Sequence, residues 1–99
     1  MPIFDLEFLP SARKEWDKLD KSVRNQFARK LAERLGAPRI ASARLSGMAD
    51  CYKIKLRAAG YRLVYRVEDK RVTVVVIAVG RREVTIRASV ERRQWPSNK

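Results

Sequence analysis

Residues 51–79, CYKIKLRAAGYRLVYRVEDKRVTVVVIAV, decide the fold of this chain, because three strand patterns separated by two turns follow one another there. In the first pattern, at residues 51–57, apolar side chains alternate with basic ones, and a strand places the two kinds on opposite faces. The sequence AAG at 58–60 predicts a hairpin turn, after which the chain alternates again up to a second turn at 69–70. Residues 72–79 are apolar almost throughout, which is typical of a central strand covered on both faces.

One strand and two helices are predicted before this region. Residues 3–8 alternate as a half-buried strand does, and Pro10 can then open a helix. The spacing of the apolar residues predicts a short amphipathic helix over residues 11–19. After a short link, a second helix is predicted to end near Gly36. The apolar stripe of that second helix consists of Val23, Phe27, Leu31 and Leu35.

The predicted fold class is α+β, with the element order βααβββ and a possible terminal helix over about residues 85–93. A mainly antiparallel sheet would carry the helical hairpin on one face. We expect one domain spanning residues 1–99, with 84–99 as a helical or mobile tail, since 99 residues suit a single core.

The composition excludes several kinds of site. Cys51 is the only cysteine and there is no histidine, so thiolate clusters, His-based acid–base catalysis and the usual catalytic triads are ruled out. We therefore expect no metal and no cofactor. No apolar run approaches the length that spans a bilayer, and no secretory signal is visible, so the expected location is the cytoplasm, without a membrane partner.

The charge balance indicates a polyanionic partner. With 23 Lys and Arg against 11 Asp and Glu, the formal net charge is +12. RNA, DNA, a membrane surface or an acidic protein would suit this charge, whereas a merely solubilising basic surface is the plainer alternative.

The basic residues of the strands concentrate on one predicted sheet face. Period 2 places the outward side chains of the two hairpin strands together and leaves two further arginines just beyond the central strand. Like charges at this density repel, and a bound phosphate backbone would offset that repulsion. A solvated basic face without a ligand is the alternative. The cluster consists of Lys53, Lys55, Arg57, Arg62, Arg66, Arg81 and Arg82, and Arg44 in the preceding loop is added to the predicted RNA-binding residues.

A cationic face of this kind could cleave RNA without a metal. Neighbouring positive charges lower the pKa of a lysine, so Lys55 or Lys53 could deprotonate a 2′-hydroxyl, and we favour Lys55. Arg62 and Arg82 would bind the scissile phosphate and its developing charge. Glu83 is the rival base, weakened by the arginines before it.

Aromatic side chains could in principle stack on RNA bases. The three tyrosines, Tyr52, Tyr61 and Tyr65, fall in the core-facing phase of their strands, so we predict that they pack in the core. Trp16 lies on a helical stripe and is also predicted to be core, whereas Trp95 in the tail is unplaced.

Met48–Glu83 resembles the RelE toxins of bacterial and archaeal toxin–antitoxin pairs, through the elements YKIKLR, GYRLVY and VGxRE. The similarity extends over about residues 3–83. It implies an endonuclease that cleaves mRNA in the ribosomal A site by 2′-hydroxyl attack, leaving a 2′,3′-cyclic phosphate. The family's functional residues correspond to Lys53, Lys55, Arg62 and Arg82.

The resemblance also implies partners. These are the ribosome with its 16S rRNA, mRNA, and an acidic RelB-like antitoxin; operator DNA would be contacted only through the antitoxin complex. The family's base-stacking tyrosine is missing, because the matching position is Ala88 and no tyrosine follows Tyr65. A catalytically weak or inactive co-repressor is therefore one alternative, and a ParE-like gyrase inhibitor on the same fold is another.

Overall fold

In the computed structural model of the chain, which describes residues 3–92, seven main elements confirm the predicted order. A short 3-10 helix at Ala41–Ala43 precedes the first hairpin strand. The part of the predicted tail at 93–99, with Trp95, lies outside the described residues. The elements are β1 (Asp5–Phe8), α1 (Pro10–Asp17), α2 (Lys21–Gly36), β2 (Cys51–Leu56), β3 (Tyr61–Glu68), β4 (Thr73–Arg81) and α3 (Arg82–Arg92).

The strands form one mixed sheet in the order β1-β4-β3-β2. β1 runs parallel to β4, whereas the β2–β3 and β3–β4 pairs are antiparallel. The residues of β4 from Thr73 to Val79 are all buried, which confirms the prediction of a central strand covered on both faces. A sheet that is antiparallel except for β1 agrees with the predicted fold class.

The helical hairpin α1–α2 packs on one face of the sheet, as predicted. Phe27 and Leu31 of α2 are almost wholly buried, and Arg34 reaches across to the Tyr65 hydroxyl at 2.9 Å. That hydroxyl donates to the Pro38 carbonyl at 2.6 Å, which ties the segment after α2 to β3. Within residues 3–92 no helix is both long and apolar enough to cross a membrane.

The opposite face of the sheet is covered by α3, and this corrects one expectation. Arg62 and Arg66 were predicted to point from β3 into solvent, but only 7% and 8% of their surfaces are exposed. The reason lies in the inner side of α3, where Thr85, Ala88 and Ser89 are buried. These small side chains let the helix lie close on the sheet, and because they are not strongly apolar they give the sequence little helical pattern.

Glu15 and Arg92 close an edge of β4 that none of the described strands covers. β1 ends at Phe8, opposite Val76, so within residues 3–92 the next part of β4 has no neighbouring strand on that side. There the Val79 N–H donates to Glu15 at 3.1 Å and Arg92 donates to the Ile77 carbonyl at 2.7 Å. Arg92 also pairs with Glu15 at 3.0 Å, so α3 is attached to α1 across this edge.

Candidate active site

The β2–β3 register brings together Lys55, the favoured base, and Arg62, a predicted phosphate-binding residue. Lys55 pairs directly with Arg62, and Lys53 pairs with Val64. Cross-strand partners point to the same face, so Lys53, Lys55 and Arg62 share one side of the hairpin, as the alternation predicts. Arg62 in turn pairs with Gly80 of β4.

An open cleft with a volume of about 300 Å³ lies where this hairpin ends. Its position follows from the turn, where Gly60 adopts a φ of 73° that favours glycine, and from the start of α3 beside it. The Arg82 N–H donates to the Gly60 carbonyl at 3.4 Å, so the turn and the helix start are joined. The cleft is lined by Lys55, Leu56, Arg57, Gly60, Tyr61, Arg62 and Arg82.

Arg62 is a buried cation whose hydrogen-bonding capacity is incompletely used. Its Nε atom is buried and has no hydrogen-bond partner among the described residues. Desolvation, together with the nearby positive charge of Arg82, lowers the pKa of the Arg62 guanidinium. An unpaired buried donor on a charged group is unfavourable, and an anion in the cleft would compensate the charge of this guanidinium.

Lys55 is exposed at the cleft, and its ammonium form is disfavoured. Partial desolvation lowers the pKa of Lys55, and the positive charges of four neighbours lower it further. The cleft therefore increases the neutral fraction of this amine, which is the form that accepts a proton. The four neighbours are Lys53, Arg62, Arg57 and Arg82.

Tyr61 differs from the prediction that all three tyrosines pack in the core. Tyr52 and Tyr65 are buried and stack on each other, with ring centroids 5.7 Å apart. Tyr61 is only partly buried and lines the cleft, with the Arg81 guanidinium carbon 5.4 Å from its ring centroid. Strand alternation correctly predicted the face of the sheet on which Tyr61 lies. At this end of the sheet, however, the core covers its ring only in part.

The structure does not bring the remaining predicted residues into the cleft. Lys53 is partly buried and adjoins the lining residues on the same face. Arg66 is buried farther along β3 and forms an ion pair with Glu68 at 2.7 Å. Arg44 is exposed, and its backbone forms an isolated antiparallel β-bridge with Tyr52 near the start of β2. Glu83 is exposed in the first turn of α3 and is absent from the cleft lining.

The described residues contain no group of three or more His, Cys, Asp or Glu that could hold a metal ion. Cys51 is buried at the start of β2, where burial raises the pKa of its thiol to about 11. A thiol of this kind is a poor nucleophile.

Comparisons with known proteins agree on one family. The family model described as the ParE toxin of the type II toxin–antitoxin system parDE matches residues 6–85. The mRNA interferase toxin RelE of Escherichia coli K12 is 58% identical over 78 residues, covering 79% of this chain and 82% of that protein. A putative RelE-like toxin protein of E. coli is 52% identical over 80 residues, covering 81% and 84%.

Solved structures give the same result. A free arginine-to-alanine double mutant of E. coli RelE has a TM-score of 0.85 and 49% identity, covering 92% of this chain and 98% of that one. The toxin in the intact E. coli RelBE toxin–antitoxin complex has a TM-score of 0.78 and 54% identity, covering 80% and 96%.

Proposed function

The chain belongs to the RelE/ParE family of type II toxin–antitoxin toxins, and from that membership and its cleft we propose that it is a ribosome-dependent mRNA endonuclease. Two relatives at 58% identity carry the name mRNA interferase. We propose that this chain likewise inhibits translation by cutting mRNA in the ribosomal A site, in contact with 16S rRNA, and that it does so in the cytoplasm as a single domain.

The observation that carries the proposal is the position of Arg62, a buried cation that lines a cleft together with three more cations and whose Nε has no hydrogen-bond partner among the described residues. Arginine can hold two phosphate oxygens through its planar fork, and Lys55 and Arg82 are placed to share the remaining charge. A phosphodiester is thus the ligand that this group of charges fits best.

The proposed reaction needs no metal. Lys55, as the neutral amine, accepts the proton of the 2′-hydroxyl, and the 2′ oxygen attacks phosphorus. Arg62 and Arg82 stabilise the negative charge that develops on the non-bridging oxygens. The bond to the 5′ oxygen breaks, and that oxygen takes a proton from solvent, leaving a 2′,3′-cyclic phosphate and a 5′-hydroxyl end. Lys53, beside Lys55, would contribute through its charge.

An antitoxin is the proposed protein partner. E. coli RelE forms a complex with RelB, and a mutant of that toxin is also solved with a RelB peptide. We propose a RelB-like partner with an acidic segment, because a toxin of net charge +12 favours such a ligand electrostatically. Operator DNA would be contacted through the antitoxin in that complex. We propose no membrane partner, metal or cofactor.

A catalytically weak, antitoxin-binding co-repressor is the second candidate. It is favoured by Ala88, which is buried on the inner side of α3 and offers no aromatic ring to the cleft. The ParE-like gyrase inhibitor is the weaker alternative, because the relatives at 52–58% identity are RelE proteins.

Cleavage of a defined mRNA in the A site of purified ribosomes tests the proposal. We expect cutting of the A-site codon with a 2′,3′-cyclic phosphate end, and little cutting of the same RNA without ribosomes. An mRNA with a single 2′-deoxy nucleotide at the cut site is the matched control and should stay intact. Absence of cutting, together with tight antitoxin binding, would favour the co-repressor.

A further inference from the structure

We propose that Tyr61 is the platform on which a base next to the bound phosphate stacks. The inference rests on the proposed function for the identity of the ligand, and it deepens that function by assigning a base-binding residue. Its basis is the position of the ring: Tyr61 and the cations Lys55 and Arg62 line the same cleft.

The location of Tyr61 explains why its ring is available. It is the first residue of β3, opposite Leu56 on one side and Arg81 on the other, where the sheet ends. Its ring packs against the core yet remains partly exposed. The Arg81 guanidinium lies over one face of the ring, 5.4 Å from its centroid, so the ring is held and the base would stack on the face away from Arg81.

The other described aromatic rings near the sheet are engaged elsewhere. Tyr52 and Tyr65 stack on each other within the core. Trp16 packs edge-to-face on Phe8, at 5.2 Å. Within residues 3–92, Tyr61 is therefore the aromatic residue that lines the cleft.

Stacking follows from the chemistry of a nucleotide. Every base has an apolar π-face, and a neighbouring aromatic ring binds it with little dependence on sequence. With the phosphate at Arg62, a base attached to the same nucleotide would lie next to the cleft wall, and Tyr61 supplies the aromatic ring of that wall. Arg82 and Lys55 would then act on the phosphate between the two nucleosides.

A dinucleotide with one phosphate tests the stacking, because its register in the cleft is unambiguous. The 5′ nucleoside is 2′-deoxy, which prevents cleavage, and 2-aminopurine is placed on either side of the phosphate in turn. The full chain is compared with Tyr61→Phe, which keeps the ring, and with Tyr61→Leu, whose folding is checked by its melting temperature. Fluorescence reports stacking and calorimetry reports affinity.

We expect wild type and Tyr61→Phe to quench 2-aminopurine on one side of the phosphate, and Tyr61→Leu to lose the quenching. Replacing that base by an abasic site should weaken wild-type binding by about 5- to 100-fold, and should hardly affect Tyr61→Leu. Equal binding of the base-bearing and abasic dinucleotides by wild type would overturn the inference, even if Tyr61→Leu failed to fold.

Ribosomal cleavage measured in parallel separates the two proposals. If wild type cuts A-site mRNA but its dinucleotide binding does not depend on the base, the role of Tyr61 is wrong and the nuclease stands. If binding depends on the base through Tyr61 while no mRNA is cut, the platform stands and the nuclease is wrong.

Discussion

Lys55 and Arg62 face each other across the β2–β3 hairpin, yet Lys55 is exposed whereas only 7% of the Arg62 surface is accessible. The difference arises because α3 packs mainly on β4 and β3, whereas β2 lies at the edge of the sheet. The pair therefore combines a buried cation with an accessible amine whose pKa is lowered. This division matches a nuclease in which one residue holds the phosphate and the other moves a proton.

The first prediction concerns the pH dependence of cleavage. A general base must be neutral, so we expect the rate to rise with pH and to level off at the lowered pKa of Lys55. In Lys53→Gln, loss of the adjacent charge raises the pKa of Lys55, so the rise moves to higher pH and the rate at neutral pH falls. Lys55→Gln should remove the rise altogether.

The same pH–rate profiles distinguish the two lysines. A rise that persisted in Lys55→Gln but vanished in Lys53→Gln would make Lys53 the base. Lys70→Gln, at the far turn, is a matched control for the loss of one positive charge and should leave the profile unchanged.

The second prediction is that inorganic phosphate stabilises the fold through Arg62. An anion that binds only the folded state at ten times its dissociation constant adds about 1.4 kcal/mol to the free energy of unfolding. We expect the melting temperature to rise by several degrees, and to keep rising with the logarithm of the phosphate concentration, in wild type and in Arg29→Ala on α2. Arg62→Leu should lose the effect, and the same rise in that variant would place the anion elsewhere.

The third prediction concerns the Glu15–Arg92 pair. Glu15→Ala leaves the Val79 N–H and the Arg92 side chain without the acceptor that they share. The free energy of unfolding should therefore fall by about 1 kcal/mol. Amide exchange in α3 should also become faster. Asp17→Ala, which breaks the exposed Arg13–Asp17 pair, is the control and should lower the free energy of unfolding by only about 0.3 kcal/mol. Equal effects of the two variants would mean that Glu15 does not hold α3.

The fourth prediction is a moderate salt dependence of RNA binding. Four cations line the cleft, and each phosphate that they neutralise contributes about −0.7 to the log–log slope for single strands. If each of the four cations neutralises one phosphate charge of the strand, the slope is about −2.8 and a fourfold rise in salt weakens binding of single-stranded RNA roughly 50-fold. A flat response in fluorescence anisotropy titrations would argue against an electrostatic site, and a much steeper one would mean that cations outside the cleft take part.

Strand periodicity predicted the fold and the shared face of Lys53, Lys55 and Arg62, because alternation and hairpin turns are local properties of the sequence. It could not reveal the burial of Arg62 and Arg66, since that depends on α3. The inner residues of α3, such as Ala88, are small and not strongly apolar, so no sequence pattern indicates how this helix packs.

The part of the cleft that sequence reasoning missed is the position of Tyr61 in its wall. Its phase is that of Leu63 and Tyr65, which are fully buried, so alternation assigned it to the core. What alternation does not report is where the covering helices stop along a strand. The position of Tyr61 immediately after the Gly60 turn was the available indication that it lies at the end of the sheet.

The most direct test of the account is single-turnover cleavage of A-site mRNA on purified ribosomes by wild type, Arg82→Ala and Arg29→Ala. Both arginines are exposed, but only Arg82 lines the cleft. We expect wild type and Arg29→Ala to cut at similar rates, and Arg82→Ala to be slower by a factor on the order of 100 or more, as for loss of a group that stabilises developing charge. No cleavage by wild type, or equal losses in the two variants, would contradict the account.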